Sequence, residues 1–431
     1  MDLKGEKSVL TSRRELLKGL TAIGLAGLYS PAVLAASSKA RLVVIGGGFG
    51  GATAARFAKR LLPELQVTLI EPARHYIACP FSNLVVGGLR TLDAQMFSYQ
   101  ALTAEGIRII PDMAVDVDPV ARRVTLSNKQ VLEYDKLVLA PGIDFRWNAL
   151  EGYNDRAALK MPHAWKAGVQ TEILRRQLQG MEDGGVVVMS ITAAPFRCPP
   201  GPYERASIIA NYLKQNKPKS KLILLDSNER FSKQPLFLEA WERHYAGLLE
   251  WRNPSNDGRV DRVDVDKMTL HTDFDSISAD VVNIVPPQAA GIIAQKAGVT
   301  NESGWCPINA INFESTLQSQ IHVIGDATIA APMPKSAFSA NAQAKVCAIQ
   351  IARMFSGLDV EPTTLANTCY SFITADKAIS VSGVYRNQGG VLASVAEAGG
   401  ISPQQASDAF QQQEAKQARD WFTSVTTETF L

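Results

Sequence analysis

Two groups of residues in this 431-residue chain have types and spacings that do chemistry. The first is Gly46-x-Gly48-x-x-Gly51, answered by Glu71. Glycines at this spacing let a backbone turn approach a pyrophosphate at a helix N-terminus, and an acid one strand later accepts hydrogen bonds from a ribose. That chemistry is dinucleotide binding. The second group is sulfur. The five cysteines, Cys79, Cys198, Cys306, Cys347 and Cys369, form no C-x-x-C pair, no zinc-like spacing and no C-x-x-C-H haem-attachment motif. Cys198 stands between Arg197 and Pro199-Pro200-Gly201, and Cys369 lies in Thr368-Cys369-Tyr370-Ser371, each beside turn or strand-end signals. Glu204, on the helix that follows Cys198, is a candidate proton-handling group. An exposed first-turn glutamate that suits the helix dipole is an equally good reading of that residue.

These residues need elements to position them. Arg41 to Ile45 reads as a buried strand, Ala52 to Leu62 as a helix, and Val67 to Ile70 as a second strand ending at Glu71. Tyr134 to Leu139 is a further buried run that ends in the turn Ala140-Pro141-Gly142, and Ile321 to Ile324 is another, ending in Gly325-Asp326. Gly142 and Asp326 are therefore candidates for cofactor contact. Ser336 opens a long helical pattern that runs to about Phe355, and its positive dipole end, with Lys335 beside it, would favour negative charge. A second α/β unit follows the pattern Val186 to Met189, Tyr203 to Lys214, and Lys221 to Asp226. Prolines and Cys198 occupy its first turn where a glycine fingerprint would stand, so one dinucleotide is expected and not two. Tyr370 to Ile373, Ala378 to Val384 and the glutamine-rich stretch Pro403 to Phe422 read as a small α+β domain.

Residues 1–36 stand apart from the fold. Ser12-Arg13-Arg14-Glu15-Leu16-Leu17-Lys18 is a twin-arginine pattern, followed by an apolar run from Gly19 to Leu34 that is short for a membrane span, and by small residues at Ala35-Ala36-Ser37. This predicts a periplasmic protein exported by the twin-arginine route. The whole chain carries 44 basic and 42 acidic residues, and the leader holds five of the former and three of the latter, so the remainder has no net charge. Such a balance argues against nucleic acid or an anionic membrane as a partner, and no stable membrane insertion is expected. An oxidising compartment favours at least one disulfide, with one sulfur left over. Cys306 and Cys347 read as structural, and the five histidines show no ligand spacing, so no metal is assigned.

The order of a dinucleotide domain split by a second α/β unit and followed by a C-terminal domain resembles the glutathione-reductase-type flavoproteins. Trp305-Cys306-Pro307, the segment Arg197 to Arg205, Pro334 to Asn341 and Thr368-Cys369-Tyr370-Ser371 narrow the resemblance. Together they look like the flavoprotein subunit of flavocytochrome c sulfide dehydrogenase, from about Arg41 to Leu431.

The resemblance implies an α/β, glutathione-reductase-like fold with two Rossmann-like three-layer units. Its parts would be an FAD-binding domain at 37–150 and 276–358, an inserted unit at 151–275 and a small α+β C-terminal domain at 359–431. It implies FAD joined covalently to Cys79, which an extended chain from Glu71 reaches within about 27 Å. Asp326 would hydrogen-bond the ribityl or pyrophosphate side of the flavin. Cys198 and Cys369 would form a redox-active disulfide that oxidises sulfide, although from residue types alone a plain stabilising bridge serves as well. Electrons would leave to a separate c-type cytochrome subunit, this chain carrying no haem. A sulfide–quinone oxidoreductase would share the fold and the paired cysteines but needs an apolar C-terminal surface. Pro403 to Leu431 is instead rich in Gln, Asp, Glu and Lys, with Phe410, Trp421 and Phe422 expected to pack inward. A flavin-bearing, non-catalytic partner of a sulfur-oxidation complex is the remaining alternative.

Overall fold

The computed structural model describes residues 40–431, so the leader at 1–36 lies outside the described residues. The first sheet is parallel, in the order Ile321–Val323, Lys136–Leu139, Arg41–Ile45, Gln66–Ile70, Arg108–Ile110. Its central strands are almost wholly apolar and buried, as a parallel sheet covered on both faces requires. The helices Phe49–Leu61 and Ala337–Phe355 pack against each other. Both are rich in alanine, which lets their backbones come close. Cys347 is fully buried on the second of them.

The inserted unit has its own parallel sheet, ordered Leu249–Arg252, Lys221–Asp226, Val186–Ile191, Val281–Val285. Its fourth strand lies beyond residue 275, so the unit extends through Val285, and the boundary expected at 275/276 is corrected. The run Val281-Val282-Asn283-Ile284-Val285 is buried throughout, and only its register with Val187–Ile191 assigns it to this sheet. An antiparallel pair, Ile143–Phe145 with Gln288–Ala290, joins the two units where the chain crosses out and back.

The C-terminal domain is α+β. Thr364–Phe372 and Ala378–Gln388 form a long antiparallel hairpin, extended by Val391–Ser394 and by Gly400–Ile401. The helix Asp408–Phe430 starts at Ser407, whose side chain accepts from the Phe410 N–H. It runs further than the glutamine-rich stretch suggested. Phe422 is buried, while Phe410 and Trp421 keep part of their surface in solvent. Phe430 packs among Phe49, Tyr76 and Phe97 at ring-centroid distances of 5.6, 5.2 and 5.3 Å. Arg56 closes the contact by donating to the carbonyls of Thr427 (3.2 Å) and Glu428 (2.8 Å), a cation on the negative end of the helix. The last helix is thereby clamped to the first dinucleotide turn. Among the described residues no helix is long and apolar enough to cross a membrane.

Candidate active site

The fingerprint turn is built around glycine because nothing else fits. Gly46 has a φ of 102°, and a Cβ there would lie 2.3 Å from the Ala140 carbonyl oxygen. A Cβ on Gly51 would lie 1.8 Å from the Gly46 carbonyl oxygen. Gly48 is the N-cap of the helix Phe49–Leu61 and offers no side chain, which leaves the first N–H groups of the helix for an anion. Glu71 accepts from the N–H groups of Gly47 (2.8 Å) and Ala73 (3.0 Å), and the Tyr99 hydroxyl donates to the Gly47 carbonyl (3.0 Å). Turn and acid are held as one rigid piece.

A cavity of about 720 Å³ runs from this turn to two sulfurs. Cys198 comes from the inserted unit, in a left-handed backbone conformation (φ 56°), with its N–H donating to the Lys335 carbonyl at 2.8 Å. Cys369 comes from the C-terminal strand Thr364–Phe372, whose buried face is Leu365, Asn367, Cys369 and Ser371. Both are thiols in this structure. Burial pushes both above the usual thiol range, and for Cys198 the neighbouring Cys369 and Glu204 push in the same direction. Arg197 and Lys233 oppose the shift at Cys198, and Lys233, Asn367 and Ser336 oppose it at Cys369. The two sulfurs therefore feel each other's charge and share one buried cation, Lys233.

Polar side chains wire this pair to the surrounding elements. Ser336 caps the helix Ala337–Phe355 by accepting from the Ser339 N–H at 3.0 Å, and its hydroxyl donates to Asn367 Oδ1 at 2.6 Å. Asn367 Nδ2 in turn donates to Cys369 Sγ at 3.2 Å. Glu204 is no exposed first-turn glutamate. Its carboxylate accepts from Asn83 Nδ2 (2.7 Å) and from the N–H of Phe372 (2.9 Å), on the strand that carries Cys369. Burial raises its pKa against the pull of those donors, of Lys233 and of Arg205. Arg205, 2% exposed, holds the other side of Asn83 through Oδ1 (3.0 Å) and reaches the His163 carbonyl and Asn283.

Cys79, Gly142, Asp326 and Ser336 also line the cavity. Cys79 follows the strand His75–Ile77, its sulfur 3.9 Å from the Trp165 carbonyl oxygen, and it interacts electrostatically with Arg197. Arg197 donates to that same Trp165 carbonyl, so one guanidinium stands beside Cys79 and is adjacent in sequence to Cys198. Lys335 is placed differently from the expectation. Its Nζ donates to the carbonyls of Asp326 (2.9 Å) and Thr328 (2.6 Å) and sits 3.8 Å from the Trp305 ring, outside the cavity lining. Burial lowers it to about 8. Asp326 Oδ2 lies 4.0 Å from Arg197 Nε, and Oδ1 is buried without a hydrogen-bond partner. An orphaned acceptor in a cavity that begins at a glycine turn and a helix N-terminus suits the hydroxyl groups and pyrophosphate of FAD.

The inserted unit offers no equivalent place. Asp226, at the end of its second strand where a second ribose would be held, is 0% exposed and accepts from Tyr203 (2.7 Å), Trp251 (3.0 Å) and Asn228 (2.8 Å). Phe231 stacks on Tyr203 at 3.6 Å. The crevice is filled with side chains. Cys306 and Cys347 are buried outside the cavity lining, Cys306 pushed up to about 12 by burial. Among the described residues no group of three or more His, Cys, Asp or Glu side chains is placed to hold a metal ion.

Lys233, Arg205 and Asn367 are absent from the sequence-based reading of the site. Asn367 carries a signal that period-2 patterning exposes, since Asn367 and Ser371 are polar residues on the buried face of a strand. Lys233 and Arg205 carry none. Each looks like an ordinary surface cation until the units pack.

Fold, glycine turn and cysteine-lined cavity together define an FAD-dependent oxidoreductase of the pyridine nucleotide–disulphide oxidoreductase class, and residues 40–176 match that class's family model. Residues 171–286 match the family described as sulfide dehydrogenase [flavocytochrome c] flavoprotein chain, central, and residues 361–430 match the flavocytochrome c sulphide dehydrogenase flavin-binding family. The chain is 53% identical over 45 residues to the sulfide dehydrogenase [flavocytochrome c] flavoprotein chain of Chlorobaculum thiosulfatiphilum, a stretch covering 10% of this chain and 94% of that sequence. It belongs to this family of sulfide-oxidising flavoproteins and binds FAD. It is also 21% identical over 326 residues to the mitochondrial sulfide:quinone oxidoreductase of Mus musculus, covering 74% of this chain and 72% of that one. The structure of the sulfide:quinone oxidoreductase from Aquifex aeolicus superposes with a TM-score of 0.73 at 19% identity, covering 90% of this chain and 92% of that chain, which shows the shared fold.

Proposed function

We propose that this protein is the flavoprotein subunit of a periplasmic sulfide–cytochrome c oxidoreductase. The observation that carries the proposal is the meeting of Cys198 and Cys369, from two separate parts of the chain, in the cavity that begins at the glycine turn. In the oxidised protein the two sulfurs are joined. Hydrosulfide attacks one of them, a new S–S bond to that cysteine forms a persulfide, the bond between the cysteines breaks, and the other sulfur leaves as a thiolate. The carboxylate of Glu204, close enough to act on the charge of Cys198, takes the proton that hydrosulfide gives up. FAD, when bound, supplies the acceptor for the electron pair that the thiolate now carries. Sulfide sulfur is oxidised by two electrons, and a c-type cytochrome subunit takes them singly. The glycine turn, Glu71 and Asp326 hold the dinucleotide, and Cys79 joins it through a thioether. The filled crevice at Asp226 supports an acceptor other than a nicotinamide.

The experiment is to purify the exported protein with whatever co-elutes and to record flavin and haem absorbance before and after anaerobic sulfide. Flavin bleaching followed by haem reduction is the expected result. A flavin that bleaches but is reoxidised only by a quinone would replace the cytochrome with a quinone, and a flavin that ignores sulfide would overturn the enzyme. Acid precipitation should leave the yellow colour with the chain; flavin in the supernatant would remove the bond at Cys79.

A further inference from the structure

Lys233 is 4% exposed and sits at the N-cap of the helix Gln234–Tyr245 in a left-handed conformation, φ 62°. Its Nζ donates to the carbonyl oxygens of Cys369 (2.9 Å) and Ile379 (3.3 Å) and to Ser371 Oγ (2.8 Å). Three acceptors match the three N–H bonds of an ammonium, and none of them is a carboxylate. Burying a charge is costly, and the direct hydrogen bonds of this one go to neutral acceptors.

The negative or ionisable groups that face Lys233 are Cys369 on the strand it holds, Cys198 and Glu204 on the turn and helix of the inserted unit, and Glu414 on the C-terminal helix. The two carboxylates have donors of their own. Glu414 accepts from Ser380 (2.6 Å) and Ser402 (2.5 Å), and Glu204 from Asn83 and the Phe372 N–H. The Cys369 sulfur accepts from the Asn367 amide and is also approached by the Ser336 hydroxyl, and among the described residues the Cys198 sulfur has no comparable donor. Lys233 belongs to the inserted unit, as Cys198 does, and reaches across to the C-terminal strand that carries Cys369.

We propose that Lys233 is a positioning residue that seats the Cys369 strand against the inserted unit and supplies the positive field in which the Cys198 and Cys369 sulfurs ionise. The proposal rests on the reading of these cysteines as the sulfur-handling pair. Burial brings Lys233 itself down to about 8, so its support for the thiolates is present below that pH and fades above it.

The test uses the FAD-loaded protein with its cysteines reduced. Iodoacetamide labelling of Cys198 and Cys369 is followed by peptide mass mapping from neutral to alkaline pH, in wild type, Lys233→Met, Lys233→Gln and Lys233→Arg. Near neutral pH the Met and Gln variants should label about tenfold more slowly, the effect of about one pKa unit, with the whole curve displaced to higher pH. Lys233→Arg, even with a lower melting temperature, should restore the wild-type curve. Wild-type labelling in the Met variant overturns the proposal. If that variant does not fold, identical curves for the Gln and Arg variants overturn it instead. Failure of the underlying reading shows elsewhere, as undiminished sulfide bleaching in Cys198→Ser.

Discussion

Asn367 donates its side-chain amide to the sulfur of Cys369 across 3.2 Å, while its carbonyl end accepts from Ser336 and Ser339 at the start of the helix Ala337–Phe355. Two hydroxyl donors fix which end of the amide faces the sulfur. The helix terminus is thus connected to the reacting group by two hydrogen bonds, and a partial positive charge is aimed at Cys369.

Asn367→Asp replaces that donor with a carboxylate and should raise the thiol further by like-charge repulsion. The expected outcome is sulfide-dependent flavin bleaching slower by about tenfold or more, measured by anaerobic stopped flow, with FAD retained. A wild-type rate would show that the amide does nothing for the sulfur.

Cys198→Ser removes one member of the pair without changing volume much. Bleaching by sulfide should be lost while the melting temperature stays close to wild type. A stable variant that bleaches at the normal rate would end the disulfide mechanism.

Glu204→Gln keeps the shape of the side chain and an acceptor for the Phe372 N–H but cannot exchange a proton. Bleaching should fall on the order of a hundredfold. Because burial raises the carboxyl, the wild-type rate should climb through a pH above the ordinary carboxylate range, and that limb should vanish in the variant. A limb that survives belongs to another group.

Gly51→Ala drives a methyl group into the Gly46 carbonyl oxygen, 1.8 Å from where Cβ would sit, and both partners are backbone. The strand–helix turn must open. Protein purified from this variant should contain little FAD, read from the ratio of absorbance at 450 nm to that at 280 nm; full occupancy would mean that the turn is looser than the packing indicates.

His163 is 7% exposed, accepts from the Trp165 N–H through Nδ1 (2.9 Å), and is lowered by burial and by Arg205 to about 3. An unfolded histidine takes its proton near pH 6.5, and the folded one refuses it, so stability is intact above that pH and is lost as pH falls toward 3. The loss reaches about 3 kcal/mol by pH 4. Melting temperatures measured across this window should fall more steeply in wild type than in His163→Gln; parallel curves would assign acid unfolding to other groups.

The parts of the site that depend on neighbours in the chain were legible. Gly46, Gly48 and Gly51 work through contacts within one strand–turn–helix, and Glu71 lies one strand further, so residue type and spacing carry the information. The prolines and Cys198 in the second turn likewise exclude a glycine cradle, and in the fold Asp226 is consumed by Tyr203 and Trp251. Where local pattern and packing part company, the reading fell short. Val281–Val285 is an apolar run that either sheet could have taken, and register with Val187–Ile191 decides. Lys335, preceded by Pro334, carries no sign that two carbonyls and the Trp305 ring enclose its ammonium.

By itself, the sequence determined that the chain holds one dinucleotide turn, that its second α/β unit has a cysteine in place of another, and that its cysteines follow no local metal or redox motif. Tertiary structure decided which sulfurs meet and what surrounds them. Cys198 and Lys233 come from a turn and a helix cap of the inserted unit and Cys369 from a C-terminal strand, and the packing of these units sets the charge beside the two sulfurs that line the cavity. Spacing along a chain specifies only what a few residues can reach, whereas a buried charge beside two thiols exists only after those units have excluded water from the space between them.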